Sequence, residues 1–270
     1  MSLQALLARH PLRRVVTAAG TVAYREAGSG PTLALLHGIG SSSDSWIRQL
    51  DGLAGRFRVL AWNAPGYQGS DALPAESPTA REYGERVLAW LDALGADGFV
   101  LAGQSLGALM ATAATLLAPQ RVRRLILLAP AGGYGDADPA IRQGRLAERL
   151  DALARLGPAG LAEKRGAAMV SPTASAEERD LVRAAMAQIV PHGYAQAARM
   201  LNQGRLAADL AGVTCPIRVA SGSADAITPP PACDLIARAA RTERLDLGPV
   251  GHTCQLEASA RVNRLLADEP

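Results

Sequence analysis

Apolar positions in this chain fall into two patterns: short unbroken runs, and longer stretches in which they recur every three or four residues. The runs are Thr32-Leu-Ala-Leu-Leu-His37, Phe57-Arg-Val-Leu-Ala-Trp62, Phe99-Val-Leu-Ala-Gly103, Arg124-Leu-Ile-Leu-Leu-Ala129 and Cys215-Pro-Ile-Arg-Val-Ala-Ser221. Such runs suit strands that are buried on both faces. Residues 79–94 instead place Tyr83, Val87, Leu88, Leu91 and Leu94 at helical spacing, and Gly95 ends the pattern. Ser43 or Asp44 is placed to cap a helix running through Trp46 and Leu50. Residues 12–18 and 21–27 read as a hairpin joined at Gly20 on the sheet's edge. The C-terminal part reads as a helix from about 229, a short strand around Leu245 to Leu247 and a last helix from Thr253 to Leu266.

Strands alternating with helices predict right-handed crossovers and an α/β architecture, a mostly parallel eight-stranded sheet with helices on both faces. The alternation stops between 131 and 210, where the pattern gives several helices broken at Gly157-Pro158, Pro172 and Pro191. A helical block inserted at the ligand-binding end of such a sheet is expected to be a cap. The predicted organisation is therefore a core of residues 1–130 and 211–270 with a cap of residues 131–210.

Composition narrows the class without naming it. The 270 residues are 49% hydrophobic and 20% charged, values ordinary for a globular chain. The net charge of +3 is spread over interleaved acidic and basic residues, so no nucleic-acid partner is expected. Cys215, Cys233 and Cys254 are odd in number and lack metal-ligand spacing, which points to a reduced, cytoplasmic protein with no metal site. The apolar run at the N-terminus is short and no stretch reaches membrane-spanning length, so no membrane partner is expected either. The expected partner is a small-molecule substrate, and a homodimer is compatible with the sequence.

The candidate chemistry begins at Gly103-Gln-Ser105-Leu-Gly107, between an apolar run and an alanine- and leucine-rich helical stretch. A strand, a sharp turn and a helix with serine at the tip expose a nucleophilic hydroxyl, provided that the flanking residues are small. Serine needs a base. Of the four histidines, His10 is terminal, His37 belongs to a glycine-rich turn that its ring is expected to support, and His192 lies in the helical block. His252 remains, between the last strand and the last helix. Asp225 follows the preceding strand and completes the chain order Ser, Asp, His; Asp136 and Asp138 are the fallback acids. The backbone N–H groups of Ile39 and Leu106 are the expected oxyanion donors. Trp46, Gln104, Tyr134 and Arg199 are expected to contact substrate, with Met169, Met186, Tyr194 and Met200 as apolar walls and Arg142, Arg145 and Arg165 as further candidate cations.

His37-Gly-Ile-Gly, Asn63-Ala-Pro-Gly-Tyr-Gln-Gly-Ser-Asp, Gly103-Gln-Ser-Leu-Gly107, Gly222-Ser-Ala-Asp225 and Gly251-His252 together give the chain a resemblance to the α/β-hydrolase superfamily over nearly its whole length. It looks most like the meta-cleavage-product C–C hydrolases and the enol-lactone hydrolases of aromatic catabolism. It departs from them at Asn63, where that superfamily usually has Asp, and at Gln104, where the C–C hydrolases favour Asn. The resemblance implies a cofactor-independent serine hydrolase of a small ester, lactone or vinylogous diketone, working through an acyl-enzyme. The alternatives on the same scaffold are an acyltransferase, a cofactor-free oxygenase and a non-catalytic ligand receptor.

Overall fold

The computed structural model describes residues 1–268. Its eight strands are β1 (Arg13–Thr17), β2 (Gly20–Ala27), β3 (Thr32–Leu36), β4 (Arg58–Trp62), β5 (Phe99–Gln104), β6 (Val122–Leu128), β7 (Ile217–Ser221) and β8 (Arg244–Asp246). They form one sheet in the order β1-β2-β4-β3-β5-β6-β7-β8. β1 and β2 pair antiparallel, β2 joins β4 antiparallel, and every pairing from β4 to β8 is parallel. The hairpin at Gly20 and the continuous apolar runs therefore occupy the positions that their patterns predict.

All five residues of β3 are buried, and alternation sorts them between two cores. Ala34 and Leu36 pack on one face with Leu60, Trp62, Tyr83 and Trp90. Leu33 and Leu35 pack on the other with Trp46, Ile47, Leu50 and Val59. Each fully buried large aliphatic side chain contributes about 1.5–3 kcal/mol, so a sheet covered on both faces suits a chain with so many apolar runs.

The strand order fixes where a ligand belongs. β3 lies between β4 and β5, so the chain winds outward in one direction after β3 and in the other after β5. Crevices in open parallel sheets form beyond the carboxyl ends of strands at such a reversal. Gly38 and Ile39 follow β3 there, and Ser105 follows β5.

Only helices lie between β6 and β7. A helix assigned over Pro139–Arg165 is broken at Gly157, whose φ of 61° and ψ of −179° are not helical. Helices Ala176–Ala187, Pro191–Gln203 and Leu206–Asp209 follow. Ser175 begins the first of these with a capping box, its hydroxyl accepting from the Glu178 N–H while the Glu178 side chain accepts from the Ser175 N–H. Pro191 occupies the first turn of the second, where a missing N–H costs nothing.

Three details differ from the sequence expectation. A helix at Leu3–Arg9 packs Leu3 and Leu6 into the core, although its apolar run is short. Ser42, rather than Ser43 or Asp44, caps the turn before Ile47, its hydroxyl accepting from the Asp44 N–H. The last helix is two, Cys254–Glu257 and Ser259–Ala267, divided at Ala258. Among the described residues, no helix is long and apolar enough to cross a membrane.

Candidate active site

Ser105 sits at the tip between β5 and the helix Gly107–Leu117 with φ of +53°, a left-handed conformation that a residue with a side chain adopts only under strain. The turn closes because its neighbours are glycines. A Cβ on Gly103 would strike the backbone of Gly107 and Ala108, and one on Gly107 would strike the carbonyl of Leu36. Backbone hydrogen bonds from Ser105 N–H to Leu128 C=O (2.9 Å) and from Ala131 N–H to Ser105 C=O (3.1 Å) hold the strained residue against β6.

His252 and Asp225 come to the same end of the sheet from the loops after β8 and β7. His252 Nδ1 lies 2.9 Å from Asp225 Oδ2, and both side chains are essentially buried. An imidazole with a carboxylate on Nδ1 keeps its proton there and leaves Nε2 as the basic nitrogen. Asp225 Oδ1 accepts the N–H groups of Ile227 (2.8 Å) and Thr228 (3.0 Å), a turn closed by the acid itself. Burial acts to raise the pKa of the Asp225 carboxyl, but the hydrogen bond and charge of His252 and the Thr228 donors outweigh it, so the acid lies below its ordinary value. The fallback Asp136 is exposed and pairs with Arg205 instead.

Ser105, His252, Ile39 and Leu106 all line one cavity of about 430 Å³ between the sheet end and the helical block. Among the described residues, neither the Ile39 nor the Leu106 N–H has a hydrogen-bond acceptor, and no hydrogen bond joins Ser105 Oγ to His252 Nε2. Two groups fix the Ile39 loop. Tyr67 Oη donates to the Ile39 carbonyl (2.7 Å). His37 donates from Nδ1 to the Gly38 carbonyl (2.8 Å) and accepts the Ala64 N–H at Nε2 (2.9 Å), the supporting role expected of it. Complete burial pushes the His37 ring down to about 4, so it is neutral near pH 7.

The expected substrate contacts divide. Gln104 and Tyr134 line the cavity, as do Met169, Met186, Tyr194 and Arg165. Trp46 does not: it is fully buried in the core beneath the sheet with Ile47, Leu50 and Val59, because the single turn that carries it points it inward. Arg199 is also misplaced by the sequence reading. It is bound to Glu76, through the backbone carbonyl (3.2 Å) and the carboxylate (2.9 Å). Arg142 and Arg145 stand outside the lining and Met200 is packed in the core. Sequence reasoning missed Arg149, which lines the cavity and donates to Tyr194 Oη (3.3 Å), and Thr228 beside the acid. A threonine three residues after an acid is a local side-chain-to-backbone pattern that offered a signal for the second; nothing in helical spacing separates Arg149 from its exposed neighbours.

Known proteins resemble the chain in both sequence and shape. An esterase of Thermogutta terrifontis, solved with malate bound, superposes with a TM-score of 0.85 over 96% of this chain and 97% of its own, at 23% identity. A hydrolase of Pseudomonas aeruginosa PA01 superposes with a TM-score of 0.79 over 93% of this chain and 95% of its own, at 28% identity. A probable 1-acylglycerol-3-phosphate O-acyltransferase of Oryza sativa subsp. japonica is 34% identical over 116 residues, which are 42% of this chain and only 28% of that protein. The family model for the alpha/beta hydrolase fold matches residues 31–259, a span that contains the nucleophile turn, the acid loop and the histidine loop described above. The chain belongs to the alpha/beta hydrolase fold family.

Proposed function

We propose that the protein is a cofactor-independent serine hydrolase that cleaves a small carboxylic ester or lactone, with residues 131–210 as a cap over the site. The observation that carries the reading is the convergence on one cavity of Ser105, of His252 held from behind by Asp225, and of the two residues with unpaired N–H groups, Ile39 and Leu106. Ser105 Oγ attacks the substrate carbonyl while His252 Nε2 takes its proton. Asp225 holds the ring and stabilises the imidazolium. The Ile39 and Leu106 N–H groups receive the negative oxygen; a single such donor is worth about 3–4 kcal/mol of barrier in hydrolases of this type. Collapse of the intermediate expels the alcohol with the proton from His252, and water activated by the same ring then releases the acid from the acyl-enzyme.

The walls support this class of substrate. Leu161, Leu181, Val182, Ala185, Met186 and Leu256 supply apolar surface suited to an acyl or ring carbon skeleton. A vinylogous diketone, cleaved at a C–C bond after ketonisation, is the finer variant that the resemblance to C–C hydrolases suggests. Acyl transfer is a second reading, favoured by the likeness to the probable 1-acylglycerol-3-phosphate O-acyltransferase of rice.

The test is labelling by a fluorophosphonate and turnover of short p-nitrophenyl esters, with Ser105→Ala as control. Labelling and turnover that vanish in the variant support the reading. Absence of both in the native protein overturns it in favour of a non-catalytic receptor. Adding a long-chain alcohol and measuring ester formation against acid release separates transfer from hydrolysis, and a 2-hydroxy-6-oxo-dienoate that keeps its visible colour removes the C–C variant.

A further inference from the structure

One side chain ties the acid loop to the histidine loop and to the end of β6, and no step above assigns it a role. Thr228 Oγ1 lies 2.8 Å from Asp225 Oδ2, 3.2 Å from His252 Nδ1 and 3.0 Å from the carbonyl of Ala129 at the end of β6. Its own N–H donates to Asp225 Oδ1, so one residue touches both oxygens of the acid. Ala129 is itself held in a left-handed conformation, φ 44°, by a hydrogen bond from its N–H to Ala220 C=O (2.7 Å), which keeps the carbonyl presented to the hydroxyl.

A hydroxyl has one proton and two lone pairs. The Nδ1 of His252 carries a proton in both the neutral base and the imidazolium, so at 3.2 Å the oxygen of Thr228 accepts from it. The threonine's own proton goes to the Asp225 carboxylate or to the Ala129 carbonyl, both within reach. In either arrangement, Nδ1–H is shared between two acceptors, and rotation of the ring out of the plane that aims Nε2 at Ser105 breaks both contacts.

We propose that Thr228 is a positioning residue of the triad, its hydroxyl serving as the second acceptor for His252 Nδ1–H and fixing the orientation of the ring. This rests on the serine hydrolase reading, because it matters for rate only if His252 is the base. Thr228 also lines the cavity, so its effect on substrate binding has to be separated from its effect on the ring.

The variants Thr228→Val, which keeps the shape without the hydroxyl, and Thr228→Ser, which keeps the hydroxyl, are compared by p-nitrophenyl ester kinetics, fluorophosphonate labelling and the low-field NMR signal of the His252 Nδ1 proton. Thr228→Val is expected to lower kcat and the labelling rate about 10-fold, the scale of a hydrogen bond to a group that becomes charged, with KM unchanged and the low-field proton displaced. Thr228→Ser is expected to stay within about threefold of the native rates, because one retained hydrogen bond is what separates it from valine. A valine variant with native kcat, a serine variant as slow as valine, or a change confined to KM overturns the proposal. Should the valine variant fail to fold, Thr228→Ala takes its place under the same criteria. If the native protein is neither labelled nor active, it is the hydrolase reading that fails. The Nδ1 proton then decides the threonine contact by itself: a signal indifferent to loss of the hydroxyl refutes it.

Discussion

The Gln104 side-chain amide donates to the backbone carbonyl of His252 at 2.9 Å, so the residue immediately before the nucleophile holds the chain that carries the candidate base. The two lie apart in the sheet, β5 on one side of β6 and the histidine loop beyond β8. A tether of this kind sets the distance between Ser105 and His252 without taking part in proton transfer.

Removing that tether therefore has a defined cost. Gln104→Ala is expected to reduce kcat by about 2–10-fold, the rate equivalent of one lost hydrogen bond, with a smaller change in melting temperature than in rate. Gln104→Asn, one methylene shorter, falls short of the carbonyl and is expected to resemble alanine. Ester turnover and thermal melts of the three proteins check this, and a Gln104→Asn variant at native rate would show that the contact is idle.

Strain at the nucleophile gives a second expectation, opposite in sign to most substitutions. With φ at +53°, Ser105 is held where side chains are disfavoured, at a cost of about 1–2 kcal/mol that glycine avoids. Ser105→Ala and Ser105→Gly both remove the hydroxyl and should both be inactive, but the glycine variant is expected to be the more stable by about 1 kcal/mol. In a chain of this size that is a rise in Tm of about 2–4 °C, measured by calorimetry on the two inactive proteins side by side.

These two residues were legible in the sequence to different degrees, and the reason is physical. The central strands announce themselves because a strand buried on both faces must be an unbroken apolar run, so the ends of β5 and β7 point to Ser105 and Asp225 as candidates, while His252 is reached from the short edge strand β8, Arg-Leu-Asp, by elimination among the histidines. The directions of helical side chains are not announced in this way. Trp46 lies in a single turn whose two faces the pattern does not distinguish, and it turned into the core. Arg199 is among the expected substrate contacts and Arg149 is not, yet Glu76 holds the first and the cavity receives the second, an outcome decided by how the helices of 131–210 stack. Short elements are hidden for another reason: Leu3–Arg9 has two buried leucines and takes its stability from the core it touches rather than from its own pattern.

The buried ring of His37 ties stability to pH. Its pKa is lowered by burial to about 4 in the folded protein against about 6.5 in an exposed chain. Between those values the unfolded state binds the proton and the folded state does not, so stability falls as pH drops from about 6.5 towards 4, by up to about 3 kcal/mol from this group. Below about 4 its contribution levels off. His37→Gln keeps an amide that can serve the Gly38 carbonyl and the Ala64 N–H but does not titrate. It is expected to be less stable at pH 7 and to lose less between pH 7 and 4.5, which denaturant titrations at the two pH values measure. Equal pH slopes in the two proteins would contradict the burial argument.

The remaining prediction concerns what the cavity selects. Arg149 and Arg165 line it without a carboxylate partner among the described residues, whereas Asp136, which also lines it, is matched by Arg205. A guanidinium beside apolar walls favours a substrate group that returns its charge, and a hydrogen bond to a charged group is worth about 1.5–3 kcal/mol. An ester bearing a second, free carboxylate on its acyl chain should therefore exceed its methyl-terminated counterpart in kcat/KM. Arg149→Met and Arg165→Met keep the length of the side chain without its charge. At least one of them is expected to lower kcat/KM for the carboxylated ester about 10–100-fold while leaving the neutral ester within about twofold, as expected when one charged contact is lost and the apolar walls are kept. If both variants treat the two esters alike, the arginines serve the wall through their aliphatic stems and the contact with Tyr194, and the cavity selects by shape alone.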